Sequence, residues 1–203
     1  MTYINTVTES DPGSKTAQMY ARAQAGYGYL PNMVKAFSHR PEVMEAWNGL
    51  LASIKSGMDL RRYELVTMAA AKELRSSYCM LAHGSILLNG HFTAPELQAV
   101  VEDVETSPLN DTERAIMRFA AKVVRDATSV SAEDVDGLRR RGMSDGEIFD
   151  IVAAAAVRCF FSKTLDALGA QPDGVYHEIE PHLKRALVVG RDIDAGCDLS
   201  RSA

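Results

Sequence analysis

Across the 203 residues, apolar side chains recur at the helical period of 3.6, and no comparable run alternates at the period of two that a half-buried strand requires. Ile148, Ile151, Val152, Ala155, Ala156 and Cys159 stand at helical spacing and read as one buried stripe, which makes Cys159 a core thiol. Val43, Trp47, Leu50, Leu51 and Ile54 repeat the logic after Pro41, a residue suited to a first helical turn, and that helix should stop near Gly57. Breaks at Asp11 to Gly13, Pro31 and Asn32, Asn89 and Gly90, Ser107 and Pro108, and Gly142 divide the chain into about eight to ten helices. The expectation is an all-α bundle in one domain. Residues 1–14 form an amino-terminal extension and 15–170 the helical core, while 190–203 is a polar tail without periodicity, expected to be mobile or to drape over a neighbour.

A weak internal repeat accompanies the periodicity. Glu64, then Gly90, Thr93 and Glu96, is echoed by Glu113, then Gly142, Ser144 and Glu147. Each copy carries a long helix, a second helix, a glycine, a hydroxyl N-cap and an acidic residue, at a period of about fifty, so two copies predict a bundle with pseudo-two-fold symmetry.

Composition narrows the function classes. A formal net charge of −5 leaves no face basic enough for general nucleic-acid binding. The basic cluster Leu138 to Arg141 reads as the cationic end of a helix closed by Gly142. The run Ile151 to Val157 is far shorter than the ~20 residues needed to cross a bilayer. The start, MTYINTVTESDPGS, lacks the basic and apolar regions of a signal peptide, so no membrane role is expected. Three distantly spaced cysteines make neither a disulfide framework nor a zinc site and fit a reducing cytoplasm.

One segment carries chemistry. In YELVTMAAAKELRSSYCMLAH, Cys79 and His83 stand at i and i+4 and share a helix face one turn apart. With Ser76 as N-cap, its hydroxyl would accept from the Cys79 N–H, and the thiol would sit in a first turn whose free N–H groups and dipole favour an anion. Glu64, on a separate helix from Leu60 to about Leu74, could orient His83 or relay its proton.

The spacing Glu64, Ser76, Cys79, His83 resembles the Glu, Cys-x-x-Cys, His signature of alkyl hydroperoxidase D-like proteins in the carboxymuconolactone decarboxylase superfamily, with Ser76 where the family has its first cysteine. GYGYLPNMVKAFSHRPEVMEAW and the stretch from Ser129 to Gly169 are similar to the peroxidase-related branch, so the resemblance spans roughly 15–170. It implies an AhpD-like helical fold and a thiol peroxidase in which Cys79 is oxidised by a small hydroperoxide. It also implies His83 and Glu64 as proton handlers, no cofactor, and a homo-oligomer of two, three or six subunits. Because serine cannot close a disulfide, a Cys-x-x-Cys cycle is impossible for this chain, and an external thiol is expected to reduce Cys79. Ser76 then reads as native to a one-cysteine enzyme, as native to a relative that has left peroxide chemistry, or as introduced.

Rival readings attach to the same residues. Ser76 serves as a cap, as a donor to the thiolate or peroxide, or both. Tyr78 lines the substrate pocket or packs, and Tyr27, Tyr29, Phe37 and Trp47 wall a pocket or fill the core. Cys197, in the tail, is the one cysteine that could reach an oxidised Cys79, across a subunit boundary, as an alternative to the external thiol. The superfamily also implies a decarboxylase or lactone-processing enzyme that does not rely on a cysteine pair, and loss of the pair leaves a non-catalytic helical assembly protein as a third reading.

Overall fold

The computed structural model describes residues 2–8 and 11–196, and among them it contains ten α-helices, two short 3₁₀ segments and no strand. In chain order the helices are α1 (Lys15–Tyr27), α2 (Asn32–Ala36), α3 (Pro41–Lys55), α4 (Leu60–Glu73), α5 (Ser77–Leu88), α6 (Ala94–Glu102), α7 (Asp111–Asp126), α8 (Ala132–Arg139), α9 (Asp145–Ala167) and α10 (Pro181–Leu187). The helical part thus continues past residue 170 into α10. No described helix is long and apolar enough to cross a membrane.

Local chemistry sets most boundaries. Pro41 opens α3, and Asp59 caps α4 by accepting from the Arg62 N–H. Capping boxes open α6 at Thr93 with Glu96, α7 at Asn110 with Glu113, and α9 at Ser144 with Glu147. The Ser144 backbone and Arg62 together hold Glu147 down to about 2. Gly90 and Gly142, at φ +91° and +83°, take the left-handed turns that precede two of these boxes. Arg139 ends α8 as the LRRR cluster predicted, and Arg139, Arg140 and Arg141 pair with Asp136 and Asp145, Glu133 and Asp111 on the surface.

The repeat is visible as α4, α5 and α6 followed by α7, α8 and α9. Aligned on their caps, the position of Glu64 corresponds to Ala115, not to Glu113, so the carboxylate belongs to the first copy alone. The bundle is organised around α4, which is buried continuously from Tyr63 to Ala71 and packs against α5, α7 and α9. A helix enclosed on every side needs neighbours all round, which α5, α7 and α9 supply.

The two ends of the chain meet over one corner of the bundle. The Tyr3 N–H donates to the Leu168 carbonyl, and Arg191 reaches both Tyr3 Oη and the Asp166 carbonyl. Asp194 donates its N–H to the Pro172 carbonyl, and Ile193 is buried. Residues 190–196 of the expected tail therefore lie along the molecule; 197–203 fall outside the described residues.

Candidate active site

The turn between α4 and α5 places the site. The Ser76 N–H donates to the Ala71 carbonyl at 2.9 Å and the Arg75 N–H to the Lys72 carbonyl at 3.0 Å, with Arg75 itself at φ +55°. These bonds close α4 in the manner that ordinarily uses glycine, and a non-glycine residue there costs about 1 kcal/mol of strain. Gly190 seals the corner from outside: its N–H donates to Ser77 Oγ at 2.8 Å, and a Cβ on it would stand 2.1 Å from the Arg75 carbonyl oxygen.

Ser76 occupies the N-cap of α5, and Cys79 is the third residue of the helix, as the sequence predicted. The expected side-chain cap is absent. The caps of α1, α4, α6, α7, α8 and α9 have ψ between 150° and 168°, whereas Ser76 has ψ 94°, which turns its hydroxyl away from the Cys79 N–H. Ser76 is fully buried, and its Oγ makes no hydrogen bond of ordinary geometry, although it bears on the nearby Asp166 carboxyl.

Cys79 is buried, with 1% of its surface exposed. Two donors from α9 converge on its sulfur: Ser162 Oγ at 3.1 Å and Arg158 Nη1 at 3.6 Å. Arg158 Nη2 donates to Tyr63 Oη at 3.1 Å, and the guanidinium lies 5.8 Å from the centre of the Trp47 ring and 5.6 Å from that of Phe161. Arg158 makes no ion pair with a carboxylate among the described residues, yet it is 1% exposed. A buried cation needs an anion close by, and the acidic groups in hydrogen-bond contact with this one are the Cys79 thiol and the Tyr63 phenol. Burial lowers Arg158, but its interactions with Cys79 and Tyr63 more than offset this and hold it above its ordinary value.

His83 and Glu64 complete the cluster. His83 Nδ1 lies 2.5 Å from Glu64 Oε2, the imidazole keeping 14% of its side-chain surface and Glu64 none. The Tyr63 ring meets His83 edge-on with centroids 6.3 Å apart, and Lys55 Nζ stands over Tyr63. Burial first, and then the Arg158 charge, push His83 below its ordinary value, with Glu64 opposing. The imidazole is therefore neutral at pH 7, with Nδ1–H turned to the carboxylate and Nε2 left as a base. Glu64 Oε1, Arg158 Nε and Trp47 Nε1 are each buried without a hydrogen bond in the protein.

Cys79, His83 and Glu64 are thus brought into one buried cluster, Cys79 bonding to Ser162 and Arg158, and His83 to Glu64. The Tyr78 hydroxyl donates to Asp173 and accepts from the Met33 N–H, tying α5 to the start of α2. Phe37 and Trp47 are buried and stack with Phe161, whereas Tyr27 is exposed. Cys159, expected in the core, is half-buried, and Ala156 beside it is exposed, because the stripe extends round the helix beyond what the core covers. Cys197 lies outside the described residues. Sequence reasoning passed over Arg158 and Ser162; the available signal was one arginine inside AAAAVRCFF, with a hydroxyl one turn later on the same face. Among the described residues no group of three His, Cys, Asp or Glu side chains could hold a metal ion.

A model of the carboxymuconolactone decarboxylase family matches residues 41–122, a segment that holds Glu64, Cys79 and His83 and stops short of Arg158 and Ser162. Among solved structures, an uncharacterized peroxidase-related protein from Silicibacter sp. TM1040 superposes with a TM-score of 0.77 at 22% identity, over 87% of this chain and 94% of that one. The alkylhydroperoxidase AhpD core of a peroxidase-related protein from Ralstonia eutropha JMP134 gives 0.72 at 21% identity, over 85% and 96%. The debrominase Bmp8, as a cysteine-to-alanine variant in complex with 2,3,4-tribromopyrrole, gives 0.69 at 21% identity, over 92% and 96%. No curated protein matches the sequence. The family model thus matches the segment that carries Glu64, Cys79 and His83, and the solved structures share the AhpD-like all-α fold of the whole chain.

Proposed function

We propose that the protein is a thiol-dependent peroxidase that reduces small hydroperoxides through Cys79. The observation that carries this reading is the convergence of Arg158 Nη1 and Ser162 Oγ on the Cys79 sulfur, a donor set suited to an anion in a dry site. His83 Nε2 takes the thiol proton, and Glu64, accepting from Nδ1, holds the ring in the tautomer that permits it. The hydroperoxide approaches from the side on which His83 keeps contact with solvent. The thiolate attacks the distal peroxide oxygen, so that an S–O bond forms and the O–O bond breaks. The leaving alkoxide receives the proton held on His83 and departs as an alcohol. Sulfur has lost two electrons and stands as the sulfenic acid, which Arg158 and Ser162 hold as they held the thiolate. One equivalent of an external thiol displaces water to give a mixed disulfide, and a second releases reduced Cys79. Ser76 cannot form a disulfide with Cys79, so the reductant in this reading is an external thiol, which a reducing cytoplasm supplies.

The decisive experiment is mass spectrometry of the reduced protein after one equivalent of an organic hydroperoxide, with a sulfenic-acid trap present and Cys79→Ser as control. Rapid, stoichiometric labelling confined to Cys79 is expected; an unlabelled Cys79 sinks the reading.

A second reading has its own observation. The His83–Glu64 pair is complete without the thiol, and it lies in the segment that matches the carboxymuconolactone decarboxylase family. Acid–base chemistry on a decarboxylase-type substrate would survive Cys79→Ser and be lost in His83→Ala, the reverse of the tolerance expected of a thiol peroxidase.

A further inference from the structure

His83 is the member of the buried cluster that meets solvent, with 14% of its side chain exposed, whereas Cys79, Glu64, Tyr63 and Arg158 keep 1% or less. A molecule that reacts at Cys79 therefore arrives past His83 and past the Tyr63 ring that meets it edge-on. On the solvent side of that ring lies Lys55, in the last turn of α3, with Nζ 4.8 Å from the ring centre. Tyr63 is buried although Lys55 is exposed, so the lysine is part of what covers the ring. Its charge is not spent elsewhere. Arg61 and Arg62, at the start of α4, pair with Glu113 and Glu147, but Lys55 makes no ion pair and donates no hydrogen bond among the described residues. Asp150 lies against Gly57, two residues further on, without bonding to it. In a chain of net charge −5, Arg158 behind Tyr63 and Lys55 in front of it make the approach to Cys79 locally positive, and both charges oppose protonation of His83 against the Glu64 carboxylate.

We infer that Lys55 is a specificity-determining residue that binds a carboxylate on the substrate, so that the hydroperoxides this site prefers are anionic ones. A cation held over an aromatic face at the mouth of a buried site, with no carboxylate of its own, is placed to take one from a ligand. The apolar body of that ligand lies along Tyr63, and its reacting end stands at His83 Nε2. Tyr63 sets the spacing. Its ring centre is 4.8 Å from Lys55 Nζ and 6.3 Å from the centre of the imidazole, so the carboxylate and the peroxide of a well-matched substrate are separated by about the width of an aromatic ring. Two effects follow from the same charge: steering of the anion to the mouth, which salt screens, and an ion pair formed on arrival. The inference rests on the peroxidase reading for the reacting group and on the placement of Lys55 alone for the carboxylate.

The test uses a matched pair, cumene hydroperoxide and its para-carboxylate, which differ by one charge placed a ring away from the peroxide. Rates of Cys79 oxidation in the full chain are read by mass spectrometry with a sulfenic-acid trap, for the native protein, Lys55→Gln and Lys55→Glu. The native chain should favour the carboxylate by about fivefold at low salt. Lys55→Gln, or about 0.5 M salt, should bring that ratio close to one, and Lys55→Glu should invert it. Binding is read without peroxide chemistry through 4-isopropylbenzoate, which keeps the ring and the charge and lacks the peroxide. It should slow alkylation of Cys79 by iodoacetamide in the native chain and lose that protection in Lys55→Gln. A ratio that is the same in all three proteins overturns the inference, and so does a native Cys79 that 4-isopropylbenzoate leaves unprotected. Protection that depends on Lys55, with no oxidation by either hydroperoxide, instead sinks the peroxidase reading while upholding Lys55 as the carboxylate site.

Discussion

The α4–α5 pair and the α7–α8 pair are copies of one plan, and they spend their polar residues in opposite ways. In α4 and α5 four polar groups are fully buried, Glu64, Thr67, Ser76 and Ser77, while Arg61, Arg62 and Glu73 of α4 pair at the surface. In α7 and α8 the polar groups point outward and pair across the surface, Arg118 with Glu105, Lys122 with Asp134 and Arg140 with Glu133. The position that carries Glu64 in the first copy carries Ala115 in the second, and the helix that follows is eight residues long in α8 against twelve in α5. The difference teaches that a repeat fixes architecture while the side chain placed at a buried position fixes the chemistry. Ala115 fills its buried position on α7 with a methyl group, whereas on α4 the same place holds a carboxylate with His83 as its partner.

Perturbing each pair should separate them. The largest effect is expected from Leu81→Ala in α5, where a fully buried side chain leaves a cavity and costs about 3 kcal/mol in chemical denaturation. Next comes Gly190→Ala at the corner that closes over α5. The added methyl must displace the Arg75 carbonyl or the 188–190 segment, and about 2 kcal/mol of stability should be lost with m unchanged. Arg158→Met keeps the volume and removes the cation, so alkylation of Cys79 by iodoacetamide at pH 7 should slow at least tenfold, about 1.4 kcal/mol. Rates unaltered within twofold would mean that the guanidinium does not support the thiolate.

The pH dependence is smaller and has a definite sign. His83 is held below its ordinary value, so the unfolded chain binds this proton more readily than the native one. Its contribution is complete above an unfolded value near 6.5 and is lost as pH falls through the lower folded value, because the native site must then accept a charge it resists. Urea midpoints from pH 7 to 5 should fall less in His83→Gln than in the native protein. The least effect is expected from Lys122→Ala in the second pair, an ion pair with both side chains partly in solvent, with a melting temperature within experimental error of the native value.

Much of this was legible in the sequence. Pro41, the Thr93 and Ser144 boxes, Gly90 and Gly142 announce their helix ends through bonds made within a few residues, and the i, i+4 relation of Cys79 and His83 needs only a helix to hold. Glu64 also was legible, through its spacing from the motif. Arg158 and Ser162 were not, because they lie 79 and 83 residues from Cys79 and reach it only when α9 packs beside α4 and α5. The failed cap at Ser76 was hidden for a related reason: the serine is a good cap by type, and its ψ is set by the Arg75 turn within a corner sealed by Gly190.

By itself, then, the sequence determined the helical class, the ends of the helices and the residues that share a turn, all consequences of interactions local along the chain. The tertiary structure alone decided which face of α9 is buried and which is left open. It also decided that Tyr78 turns to Asp173, and that the thiol's partners are an arginine and a serine from a distant helix. Those outcomes depend on burial and on charge in a low dielectric, which exist only once separate helices have come together.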